Sequence, residues 1–141
     1  MSATLDLMTP HSIVIGLPIA DRPRSRDFYR DVLGFEAPGE LADDGVPEPL
    51  QLALSETVSV MLVPAGGFGW AIGGRPVAPA DQHECVFTLS VRSESDVDAL
   101  LERARSAGAE IVTGATRQPW GYTGTFADPD GHLWSALVDQ G

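Results

Sequence analysis

The chain has 141 residues, about one ordinary domain, and its 43% hydrophobic and 21% charged residues allow one buried core with little room for a second. Nine basic residues, all arginine, stand against twenty acidic ones. The net charge of −11 argues against nucleic acid and against an anionic membrane surface as partners, because both need a basic face. Acidic residues divide evenly between the two halves, so the acidity reads as a surface property. Cys85 is the single cysteine and sits in an apolar run, which reads as a small buried thiol and excludes an intramolecular disulfide. No apolar stretch reaches the roughly 20 residues of a membrane span. Residues 1–10 lack the basic start and apolar run of a signal peptide, so the expected address is the cytoplasm.

Strand and helix signals alternate along the chain. Ser12–Ile19 is short and β-branched and predicts a strand. Asp21 stands as an N-cap with Pro23 in the first turn, and Phe28, Tyr29, Val32 and Leu33 fall at helical spacing before Gly34. After a Pro- and Gly-rich stretch over 36–49, Leu50–Leu54 and Thr57–Val63 predict two strands across a hairpin-sized gap. The plan then recurs. Glu84–Val91 predicts a strand, Ser93 caps a helix striped by Val97, Leu100, Leu101 and Ala104, and Gly108 ends it. Ala109–Thr113, Tyr122–Ala127 and Leu133–Val138 add three strands.

The pattern predicts a single α+β domain over 1–141. It is built from two tandem βαβββ units, at about 11–63 and 83–138, whose facing curved mixed sheets enclose a central cavity. Between them, 8 of the 19 residues over 64–82 are Gly or Pro. This connecting loop carries Phe68 and Trp70, and is either a linker pinned by its aromatics or a lid over the cavity.

Three stretches carry a family resemblance. They are Leu17-Pro-Ile-Ala-Asp-Arg-Pro-Arg-Ser-Arg-Asp-Phe-Tyr-Arg-Asp-Val-Leu-Gly-Phe35, Val97-Asp-Ala-Leu-Leu with Ala107-Gly-Ala, and Phe126-Ala-Asp-Pro-Asp-Gly-His-Leu-Trp134. Over about 12–138 the chain resembles the vicinal oxygen chelate superfamily of glyoxalase I, the bleomycin-resistance proteins and the extradiol dioxygenases. It is most similar to the branch labelled predicted lactoylglutathione lyase or glyoxalase/bleomycin-resistance-like protein. Asp128-Pro-Asp-Gly131 has the composition of a tight turn, with Pro at its first central position, and reads as a hairpin device rather than a pair of catalytic acids.

The resemblance implies a fold, a homodimer with sites at its interface, and a place for a metal. Metal-dependent members take His, Glu or Gln ligands from four strands, and those places fall here on Val14, about Met61, Val86 and Ser135. A divalent ion needs three or four N or O donors converging on one point. Val14 and Val86 offer none, Met61 a soft thioether, and Ser135 a neutral hydroxyl. No metal and no cofactor are therefore expected. Of the histidines, His11 precedes the first strand, His132 follows the turn, and alternation turns His83 away from the face of Val86.

Alternation also lists an inner face: Ser12, Val14, Gly16, Ser59, Met61, Val63, Glu84, Val86, Thr88, Leu133, Ser135 and Leu137. Such a face either fills a core or lines a mostly apolar cavity for a small organic ligand. The candidate ligand-binding residues are Ser59, Met61, Phe68, Trp70, Glu84, Val86, Trp120, Tyr122 and Ser135. Glu84 is also the one catalytic candidate, as an acid/base in an apolar pocket. The reading is a metal-independent binding protein for a small apolar or aromatic molecule, of the sequestration or resistance type, and a homodimer. The alternative is a divalent-metal-dependent lyase or dioxygenase of the glyoxalase I type. A third possibility is a metal-free, lactoylglutathione-lyase-like lyase or isomerase using Glu84.

Overall fold

The computed structural model describes residues 10–139. The stretch 1–9, which covers most of the segment read for a leader pattern, lies outside the described residues, as do 140–141. The first unit runs β1 (Ile13–Ile19), α1 (Arg22–Phe28) continued by a π-helical turn (Tyr29–Leu33), β2 (Leu50–Ala53) and β3 (Val58–Pro64). A short helix, α2 (Ala65–Ala71), opens the connecting segment. The second unit runs β4 (Phe87–Val91), α3 (Glu94–Ser106), β5 (Ile111–Gln118), β6 (Gly121–Ala127) and β7 (Leu133–Val138).

The helix boundaries follow the predicted capping chemistry. Asp21 accepts from the Arg24 amide at 3.0 Å, and Gly34 closes the π-helical turn with φ of 71°. Ser93 accepts from the Asp96 amide at 3.2 Å, and Gly108 follows α3 with φ of 87°. Arg22 holds the long loop before β2. Its guanidinium donates to Asp44 at 2.7 Å and to the carbonyls of Val46 and Pro47 at 3.1 and 2.8 Å.

Two mixed sheets result, in the orders β1-β3-β2 and β4-β7-β6-β5. The first pair in each order is parallel and the others antiparallel, so the two units repeat one topology. The first unit has three regular strands, with an isolated bridge between Leu41 and Pro47 ahead of β2. One core joins the units. Leu17, Ile19, Leu50, Leu52, Val60 and Leu62 from the first sheet meet Phe126, Trp134 and Ala136 from the second, with Phe28, Tyr29 and Val32 from the first helical segment and the α3 stripe. Rings cross between the units, Phe28 lying 6.1 Å from Phe126 and Tyr29 5.6 Å from Trp134. Among the described residues no helix is long and apolar enough to cross a membrane.

Three local expectations are corrected. Part of the connecting segment is helical, although α2 holds three glycines among seven residues. The strand expected from Glu84 begins only at Phe87. Cys85 therefore lies outside the sheet and is exposed rather than buried.

Candidate functional site

Strand pairing decides which side chains share a face. In the first sheet, Val14 stands opposite Ser59 and Ala53, and Gly16 opposite Met61 and Gln51. The core takes the other side, through Leu17, Ile19, Val60 and Leu62. The predicted inner face is thus an open face. It does not fill a core: Val14 is 48% exposed and Met61 and Ser59 are half-buried. In the second sheet Ser135 pairs with Thr88 and Thr125 on the side away from Trp134 and Ala136, which face the core, but it is itself buried at 8% exposure.

A hollow of about 270 Å³ opens where β1 approaches the start of the second sheet. Gly16 to Pro18, Phe68, the stretch Val77–Ala80, Glu84, Phe87 and Leu133 line it. Phe68 packs over Gly16, where a Cβ would make ordinary contact with its ring at 3.9 Å. His83 and His132 are structural at its rim. The His83 Nε2 lies 2.8 Å from the Gly131 carbonyl and the His132 Nε2 2.7 Å from the Pro18 carbonyl. A larger groove of about 1010 Å³ runs on the helix side, past Asp27, Asp31, Asp81 and Glu110. The segment bearing Ala80 and His83 walls both spaces.

The predicted site residues separate into three groups. Phe68 and Glu84 both line the smaller hollow, but Glu84 is exposed rather than sunk in an apolar pocket. Ser59 and Met61 lie on the first open face, Ser135 is buried in the row of Thr88 and Thr125, and Val86, 50% exposed, precedes β4. Because β4 starts at Phe87, strand alternation does not set the direction of Glu84 or Val86. Trp70 and Trp120 stand out from the surface, 86% and 63% exposed. Tyr122 is a correction to the expected cavity wall. It turns to the α3 side, where its hydroxyl donates to Asp98 at 2.7 Å, and that bond holds its pKa above the usual tyrosine value.

The four places at which the resemblance implies metal ligands do not fit an ion. Val14 and Met61 lie diagonally on the first open face and Ser135 on the second, with no carboxylate or imidazole among them. Among the described residues, no three His, Cys, Asp or Glu side chains converge to hold one.

The turn at Asp128-Pro-Asp-Gly131 joins β6 to β7, and its acids are structural. Asp128 accepts from the amides of Asp130 and His132 at 2.9 and 2.8 Å and from the Tyr29 hydroxyl. Asp130 accepts from the Ala20 amide at 2.9 Å and from the Ser25 hydroxyl at 3.3 Å. Sequence reading placed the turn but not this grip on the first unit, which no local signal announces.

A family model described as Glyoxalase/Bleomycin resistance protein/Dioxygenase superfamily matches residues 11–136. The chain belongs to this superfamily. A hypothetical protein from S. aureus (SA1046) shares the fold with a TM-score of 0.80 at 22% identity, over 98% of this chain and 100% of that one. TnmS3, an antibiotic binding protein from Streptomyces sp. CB03234, superposes with a TM-score of 0.64 at 23% identity, over 95% and 99% of the two chains. An uncharacterized protein of Mycobacterium bovis is 41% identical over 64 residues. That stretch is 45% of this chain and 41% of the relative, so the chain matches less than half the length of that relative.

Proposed function

We propose that the chain is a metal-independent binding protein that holds a small, largely apolar or aromatic molecule between its two units, in a homodimer that covers the open sheet faces. The observation that carries this reading is the exposure of Val14, with Met61 half-buried, on a sheet face turned away from the core, and the exposure of Val86 just before β4. Apolar groups left open beside a hollow suit a ligand or a second copy better than they suit water. The donor set at Val14, Met61, Val86 and Ser135 supports metal independence. Relatives of the fold include an antibiotic binding protein, which supports sequestration as the mode of action. Glu84, exposed at the rim of the hollow, is the residue proposed to contact a bound molecule.

A thermal-shift panel of aromatic and antibiotic compounds, run with and without chelator, tests the binding role. Stabilisation by at least one compound, unchanged by chelator, is expected; no shift from any compound contradicts it. Light scattering is expected to give twice the chain mass of 15.0 kDa.

A further inference from the structure

Resting on that binding role, we propose that the bound molecule is uncharged and polyoxygenated, a ring system that presents a line of oxygens to the second sheet. The strand registers set Thr88, Ser135, Thr125 and Thr113 side by side in one row across β4, β7, β6 and β5. The next row is Ser90, Leu137, Thr123 and Thr116. Seven of these eight side chains carry hydroxyls, Ser135 being the buried one at 8% exposure. Neighbouring strands lie about 4.8 Å apart, so a row of four spans roughly 14 Å. Thr123 donates to the Ala136 carbonyl at 2.7 Å; among the described residues the other six hydroxyls have no protein partner.

Threonine favours strands whatever it faces, so its abundance alone carries little. The charges decide. The chain is 21% charged, yet the single charged residue in its seven strands is Arg117. Arg117 belongs to the α3 side, ion-paired with Glu94 and lying over the Tyr122 ring. Neither open face therefore carries a charged strand residue. An ionic ligand seated there would lose water and gain no counter-charge from either sheet. A neutral molecule with several oxygens meets hydroxyls that each donate and accept.

Titration calorimetry of the full chain with hydrocortisone, hydrocortisone 21-phosphate and progesterone tests this, since the three share one ring system and differ in oxygens and charge. Hydrocortisone is expected to bind about tenfold tighter than either of the others. Its affinity should not change between about 50 and 500 mM salt. Thr125→Val and Ser135→Ala should each weaken it about five- to tenfold, with the thermal midpoint of the free protein unchanged. Tighter binding of the phosphate or of progesterone, or unchanged affinity in both variants, overturns the proposal and leaves the binding role standing. Binding by none of the three overturns it too, and the aromatic panel then judges the binding role separately.

Discussion

The Tyr29 hydroxyl donates a hydrogen bond to the Asp128 carboxylate, and Trp134 donates from Nε1 to that same hydroxyl at 3.0 Å. Tyr29 begins the π-helical turn of the first unit, and the other two residues flank the last hairpin of the second. All three are buried. This chain of polar groups, inside an otherwise apolar core, fixes how one unit seats on the other.

Tyr29→Phe keeps the ring and deletes the hydroxyl. It leaves a buried carboxylate oxygen and a buried indole N–H without their partner, which costs about 1–3 kcal/mol. Urea denaturation is expected to show a lower midpoint with an unchanged slope. A midpoint equal to that of the parent protein would contradict the account.

Burial and the neighbouring Asp128 carboxylate push the Tyr29 pKa well above 10.0, and the Asp98 hydrogen bond raises Tyr122 above the same value. The folded chain therefore resists ionising at the pH where the unfolded chain ionises. The contribution of the two neutral tyrosines to stability is full below pH 10 and is lost as pH rises beyond it. Absorbance titration of the two tyrosines should show less phenolate at pH 10 in native protein than the roughly half ionisation of denatured protein. In Tyr29→Phe the alkaline loss of stability should be smaller.

Gly131 has φ of 92°, and a Cβ there would lie 2.5 Å from the Ala80 carbonyl oxygen. Gly131→Ala must therefore displace the segment that His83 ties to this turn. Faster amide exchange over 78–84 is expected, with the exchange of α3 unchanged. Gly124→Ala is expected to act on the core instead, because its Cβ would overlap the Leu101 side chain. Overpacking of this kind costs about 1–3 kcal/mol.

Features written in local chemistry were legible in the sequence. The N-caps Asp21 and Ser93, the stop glycines Gly34 and Gly108, the α3 stripe and the Asp128-Pro-Asp-Gly131 turn each follow from backbone geometry or helical period. What was missed depends on distant partners. The run from Glu84 has strand character, but its ladder starts where Phe87 meets Trp134, and His83 is held to Gly131 just before it. α2 forms against the propensity of its glycines, with Phe68 set beside Gly16 of β1. In the first sheet alternation groups Val14, Gly16, Ser59 and Met61 on one face, as the strand register does. Period-2 alternation alone could not say that the core lies behind it, because both faces of β1 and β3 are apolar.

Metal content tests the central claim most directly. Elemental analysis of protein purified without chelator should find no stoichiometric divalent ion, and dialysis against chelator should leave ligand-induced stabilisation unchanged. One divalent ion bound per chain, with ligand binding lost on its removal, would contradict a metal-independent binding protein.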